Sequence, residues 1–185
     1  MKASKCHKQV DSTNDATNSL IEAGNCFKKC SPVNAVRALT EAIELYNGNG
    51  RFGQSARYYK EIAEIFESDG NIAGAIDNYQ QAANMFNNDN KKSNANQCLI
   101  KLASLAKDGA ELLRAADIFE TIGRESMDSR LGAFSAKGYL FQSVLCHMAA
   151  GDNVAARNKT EAFKVNQLFI FLRYQLIFSS LHVEC

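Results

Sequence analysis

Apolar positions recur along most of this chain with the 3.6-residue period of helices buried on one side. Ala16, Leu20, Ala23 and Phe27 form the first stripe and predict a helix over residues 12–29. Ser31-Pro32 ends it, and a proline suits the first turn of the helix that follows. That helix, about residues 33–46, carries Val36, Leu39, Ile43 and Tyr46, and Asn47-Gly48-Asn49-Gly50 turns the chain. Ala56, Tyr59, Ile62, Ala63 and Phe66 form the third stripe. After the turn Ser68-Asp69-Gly70-Asn71, the fourth is Ile72, Ala75, Ile76, Tyr79, Ala83 and Phe86. Residues 87–92 read as a polar loop. Ala95, Cys98, Leu99, Leu102, Ala103 and Ala106 are followed by Leu112, Ala115, Ala116, Phe119 and Ile122. Gly123 to Arg130 reads as a break, a helix over about 131–149 ends at Gly151-Asp152-Asn153, and Ala155 opens its partner.

A longer period overlies the short one. Ala35, Ala75, Ala115 and Ala155 stand 40 residues apart, and Ala23, Ala63, Ala103 and Ser143 keep the same step. Small residues at a fixed step mark close approaches between neighbouring helices. A period of this length is the signature of a repeat array. The expected fold is all-α: a right-handed α-α superhelix, a TPR-like solenoid of antiparallel helix hairpins, spanning residues 1–162. One hairpin cannot bury its own apolar face, so the stripes require stacked neighbours.

Residues 163–185 leave this pattern. The run Leu-Phe-Ile-Phe-Leu-Arg-Tyr-Gln-Leu-Ile-Phe over 168–178 has no alanine comb and is too short to cross a membrane. It reads as a buried cap helix, an exposed apolar tail, or a stretch the fold does not shape. A solenoid end should carry a polar outer face, which favours the last two.

Composition narrows the function. A 185-residue chain that is 46% hydrophobic and 22% charged fits one short solenoid, and a net charge of +1 gives no bulk attraction to nucleic acid. Six cysteines without a CxxC pair, after an N-terminus with no apolar leader, read as reduced cytosolic thiols. Cys6-His7 and the helical pair Cys26/Cys30 lack a second ligand pair at metal-site spacing, so no metal is expected. Cys146-His147 is a poor catalytic dyad because adjacent helical residues point apart. No phosphate-binding glycine loop or zinc-protease motif is present, so no cofactor and no catalysis are expected.

The basic residues carry more. Arg57, Gln97 and Lys137 are 40 residues apart and take equivalent places on the first helices of successive pairs. Lys101 lies one turn beyond Gln97, Lys60 lies near Arg57, and Lys28, Lys29 and Arg51 extend the set at helix ends. This is either a solvated face or a basic stripe for an acidic, elongated partner.

Several runs then carry a resemblance: Gly24-Asn25-Cys26-Phe27-Lys28-Lys29; Gly50-Arg51-Phe52; Ala56-Arg57-Tyr58-Tyr59-Lys60-Glu61-Ile62-Ala63-Glu64; Ser93-Asn94-Ala95-Asn96-Gln97-Cys98-Leu99-Ile100-Lys101. With Ser135-Ala136-Lys137-Gly138-Tyr139 and Leu145-Cys146-His147, they resemble the soluble NSF attachment proteins over about residues 2–160. The resemblance implies a twisted sheet of hairpins lying along a SNARE helix bundle of syntaxin type. It also implies coupling to the AAA ATPase NSF and a cytoplasmic protein held peripherally on membranes through SNAREs. The family's SNARE-contacting positions fall on Arg51, Arg57, Gln97, Lys101 and Lys137, with Lys28 and Lys29 as further contributors. Gln97 stands where some members have lysine, which weakens that contact. The sequence begins inside the family's helix array, and residues 163–185 do not resemble its C-terminal bundle and acidic tail. A form truncated at both ends, with NSF stimulation weakened or lost, is therefore expected. The alternative is a generic TPR-like adaptor that holds a short peptide in a concave pocket.

Overall fold

The computed structural model describes residues 2–108, 111–127 and 132–164. Eight helices follow in order: α1 (Lys2–Phe27), α2 (Pro32–Gly48), α3 (Phe52–Ser68), α4 (Ile72–Asn88), α5 (Lys92–Asp108), α6 (Leu112–Met127), α7 (Gly132–Ala149) and α8 (Asn153–Lys164). No strand occurs among the described residues. The described residues fall into two compact units that divide after Leu102, within α5. The expected all-α repeat of helix hairpins is what forms.

Turn chemistry sets the helix ends. Pro32 occupies the first turn of α2. Asn71 caps α4, its Oδ1 accepting from the Gly74 N–H at 3.0 Å, and Asp152 Oδ1 accepts from Ala155 N–H at 2.9 Å at the start of α8. Gly50 closes the α2–α3 turn with φ +69, and Asn90, one repeat later, takes φ +57 in the α4–α5 turn. Both are residue types that tolerate the left-handed region.

In the first unit, Leu39 and Ile43 of α2 pack on Ile62 of α3, flanked by Val36, Tyr58, Tyr59, Ile65 and Phe66. Ala35, Ala63 and Ala75 are fully covered, as the combs require. In the second unit, Leu140 and Val144 of α7 pack with Ala156 and Phe163 of α8. There Ala103, Ala115 and Ser143 are fully covered as well. Ala155 is only half-buried, and its neighbour Ala156 takes the inner place.

The structure corrects three sequence expectations. The first helix is longer at its start, running from Lys2 to Phe27 instead of 12–29. Its buried side is turned by one residue: Ala16 and Phe27 are exposed, while Thr17 and Gly24 are buried. A Cβ on Gly24 would lie 2.9 Å from Leu39 Cδ2, so α1 meets α2 through its smallest side chain. The loop over 87–92 shrinks to residues 89–91. Gly123 does not break a helix; it is a buried residue inside α6. A Cβ there would lie 2.7 Å from Leu140 Cγ and 3.3 Å from the Ala136 carbonyl oxygen, so the glycine permits the close crossing of α6 and α7. The apolar run 168–178 lies outside the described residues.

Candidate functional site

The candidate basic residues sit on three kinds of support. Arg57 projects from α3 and Gln97 from α5, and both are exposed. The first unit brings them to one groove of about 290 Å³, which Lys60, Glu61, Glu64, Phe86 and Asn94 also line. Lys29 lies in the turn after α1, and Arg51 is the residue on which α3 starts; both are exposed. Lys137 is exposed on α7 in the second unit.

Two of the seven candidates are tied down. Lys28 Nζ donates to Glu61 Oε2 at 2.7 Å. Lys101 Nζ donates to Glu67 Oε1 at 3.2 Å. Glu67 uses its other oxygen to accept from the Tyr79 hydroxyl at 2.8 Å, so one carboxylate joins α3, α4 and α5. The Tyr79 hydrogen bond, with help from Lys101, outweighs the cost of burial and holds the Glu67 carboxyl below its ordinary range. Burial and the same carboxylate push the Tyr79 hydroxyl up, so it remains a donor at neutral pH. Among the described residues Lys29, Arg51, Arg57 and Lys137 make no ion pair.

The face of α3 is therefore mixed rather than uniformly basic. Arg57 and Lys60 alternate with Glu61, Glu64 and Glu67, and Lys60 Nζ stands 3.9 Å from Glu64 Oε1. Such surface pairs contribute little stability, about 0–1 kcal/mol each. They do fix where the flexible cations point. The three glutamates had no place in the sequence-based site. For Glu61 and Glu64 the signal lay in the i, i+4 steps Arg57–Glu61 and Lys60–Glu64; Glu67 had none of this kind. The pairs Lys28–Glu61 and Lys101–Glu67 span more than 30 residues and are made by the fold.

A second carboxylate of this kind lies in the other unit. Glu120, mostly buried on α6, accepts from Arg124 Nε at 2.9 Å and Arg124 Nη2 at 2.7 Å. It also accepts from Lys159 Nζ, tying α6 to α8. Burial alone would raise its pKa; the Lys159 and Arg124 hydrogen bonds reverse this and hold it below the ordinary value.

The candidate reactive groups look structural. Burial pushes the Cys98 thiol up to about 11 and raises Cys146 as well. A nucleophilic cysteine needs the opposite shift. His147 is buried with neither ring nitrogen hydrogen-bonded among the described residues, its Nδ1 lying 3.8 Å from Asp152 Oδ2. Cys26 and Cys30 are exposed free thiols. No group of three or more potential metal ligands occurs among the described residues, where no helix is long and apolar enough to cross a membrane. The side chains of Cys6 and His7 lie outside the described set.

Comparison with known proteins agrees with the resemblance. The chain is 40% identical over 146 residues to the alpha-soluble NSF attachment protein of Mus musculus, covering 78% of this chain and 50% of that protein. It is 37% identical over 163 residues to the beta-soluble NSF attachment protein of Bos taurus, covering 88% and 54%. The vesicular-fusion protein SEC17 of Komagataella phaffii is 34% identical over 165 residues, covering 88% and 56%. The chain thus spans about half the length of the curated relatives it matches. Among solved structures, BtubC from P. vanneervenii superposes with a TM-score of 0.55 at 14% identity, covering 85% of this chain and 64% of that one, a likeness of fold alone. Residues 1–170 match the family described as soluble NSF attachment protein, SNAP. The chain belongs to the soluble NSF attachment protein family.

Proposed function

We propose that this chain is an adaptor that lies along a SNARE helix bundle of syntaxin type and connects it to an NSF-type AAA ATPase during vesicle fusion and intracellular protein transport. It works by scaffolding and catalyses nothing; its buried thiols are tuned away from reactivity. It acts in the cytoplasm and reaches membranes peripherally, through the SNAREs it holds.

One observation carries the reading: exposed cations that make no ion pair among the described residues, Arg57 and Lys137, stand at repeat-equivalent positions of a family member. Lys29 and Arg51 add to them. Lys28 and Lys101 serve the site differently, because Glu61 and Glu67 already hold their ammonium groups. Gln97 beside Arg57 supplies hydrogen bonds but no charge. The interleaved glutamates repel indiscriminate polyanions, so the face favours a partner whose carboxylates are spaced to meet Arg57. This argues for a helical protein surface over nucleic acid.

Residues 163–185 contain one acidic side chain, Glu184, so this stretch supplies no acidic cluster of its own to the ATPase. The test is direct binding of the full chain to an assembled SNARE bundle and to a short C-terminal SNARE peptide. Binding to the bundle alone is expected. Equal binding to the peptide would favour a generic peptide-holding adaptor instead.

A further inference from the structure

The sequence has two asparagines followed by glycine, Asn47 and Asn49. At such a step the main-chain nitrogen can attack the side-chain amide before it, because glycine puts no side chain in the way. Both steps lie where α2 gives way to α3, and the fold treats them differently.

Asn47 belongs to the last turn of α2, which ends at Gly48. Its side chain is half-buried and its Oδ1 is enclosed. Beside it, buried Tyr46 stacks on Tyr58 of α3 with ring centroids 5.7 Å apart, which holds this turn closed. Attack by the Gly48 nitrogen would require unwinding it. Asn49 follows the helix and is exposed, as are Gly48 and Gly50. The Gly50 N–H is restrained by a turn hydrogen bond to the Asn47 carbonyl oxygen at 3.0 Å. A Cβ on Gly50 would meet nothing within 4 Å, so no neighbour crowds the turn.

The fold already accommodates the acid that this attack would leave. The α3–α4 turn repeats the same geometry with an aspartate. Asn49 has φ −95 and ψ 4, and Asp69 has φ −86 and ψ −1. Gly50 and Gly70 follow at φ +69 and +76. The Arg51 N–H then donates to the Tyr46 carbonyl at 2.9 Å, as the Asn71 N–H donates to the Phe66 carbonyl at 2.9 Å.

We propose that Asn49 is a site of spontaneous deamidation, and that the acid formed there weakens the hold of neighbouring Arg51 on an anionic partner. The Gly50 nitrogen attacks Asn49 Cγ; the new N–Cγ bond replaces the Cγ–Nδ2 bond, and ammonia leaves with the Gly50 amide proton. Water then opens the cyclic imide at either carbonyl, leaving aspartate or isoaspartate. The step consumes water and releases ammonia, with no change of oxidation state. The chain gains a negative charge two residues before Arg51, an exposed cation that makes no ion pair among the described residues. The site stands on the chemistry of the turn alone; its effect on binding rests on the SNARE reading.

Trypsin releases both steps in one peptide, Ala38–Arg51. After the full chain is aged at mildly alkaline pH, fragmentation of this peptide in a mass spectrometer assigns each acid to its residue. In the folded chain Asn49 should convert at least about tenfold faster than Asn47, because the Asn47 step must first open a helical turn. In guanidinium the two rates should converge, and Gly48→Ala should leave the Asn49 rate of the folded chain unchanged. Equal rates in the folded chain, or conversion of neither residue there while the unfolded chain converts, overturn the site. Asn49→Asp should keep the helicity and bind an assembled SNARE bundle several-fold more weakly than the intact chain at low salt, with the gap closing as salt rises. Equal binding overturns the effect on Arg51. An intact chain that does not bind the bundle overturns the SNARE reading and with it the effect on binding, while the mass measurement still decides the site.

Discussion

Gly123 lets two opposing effects be separated by one methyl group. In an exposed helix interior, Gly→Ala gains about 1 kcal/mol from backbone entropy and propensity. Gly138 of α7 is such a site, because a Cβ there meets nothing within 4 Å. At Gly123 the same methyl would sit 2.7 Å from Leu140 Cγ, on a fully buried side chain, and 3.3 Å from a backbone oxygen of α7. Overpacking of this kind costs about 1–3 kcal/mol, which exceeds the propensity gain. Gly123→Ala should therefore destabilise by about 1 kcal/mol net, and Gly138→Ala should stabilise by about 0.5–1 kcal/mol. In thermal unfolding followed by far-UV circular dichroism, each kcal/mol moves Tm by about 2–4 °C at this chain length. The clash also predicts coupling: Leu140→Ala should cost about 1 kcal/mol less in the Gly123→Ala background than alone. If Gly123→Ala raises Tm as Gly138→Ala does, α6 and α7 do not cross closely there. Gly123 would then be the helix breaker that its sequence context suggests.

Other consequences concern the buried carboxylates and thiols. Glu120→Gln should cost about 2 kcal/mol at pH 7 in urea unfolding, the worth of hydrogen bonds to a charged group, discounted because Arg124 and Lys159 reach water. Because the folded pKa of Glu120 is lowered, its contribution is complete above its ordinary value of 4.5 and is lost as pH falls through the lower folded value. The acid limb of the stability profile should accordingly flatten in Glu120→Gln; an unchanged limb would remove Glu120 from the account. Tyr79→Phe should cost about 1 kcal/mol and make the Glu67 carboxyl easier to protonate, read as a carbonyl shift in a carboxyl-resolved NMR titration. No shift would break the α3–α4–α5 link. Iodoacetamide should label exposed Cys26 and Cys30 quickly and buried Cys98 and Cys146 only on unfolding; fast native labelling of Cys146 would contradict its burial.

The repeat was legible because small residues leave an unambiguous mark. Ala35, Ala75 and Ala115 lie in helix crossings with no room for a larger side chain, so the 40-residue step survives in the sequence. The first helix was less legible for the same reason. Thr17 and Gly24 are the buried positions, Gly24 against Leu39 of α2, and a face of hydroxyl and hydrogen carries no hydropathy signal, so the stripe through Ala16 and Phe27 lies one residue out. Gly123 has the type of a turn residue and the role of a packing residue, which only the distance to Leu140 separates. The cations of the candidate site could be read from spacing, and so could Glu64 four residues after Lys60, but the cross-helix pairings of Lys28 with Glu61 and Lys101 with Glu67 could not. Lys28 and Glu61 are strangers in sequence, brought to 2.7 Å because α1 and α3 both flank α2.

The central claim is that exposed cations with no ion pair among the described residues hold a SNARE bundle. The most direct measurement is the affinity of the full chain for an assembled SNARE bundle across a salt series, beside the variant Arg57→Glu/Lys137→Glu. Each reversal should cost about 1 kcal/mol at low salt, so the double variant should bind roughly thirtyfold more weakly. That gap should shrink as salt screens the contact, and helicity should not change. Equal affinity of the two chains at every salt concentration would mean that Arg57 and Lys137 only solvate the surface, and would contradict the account.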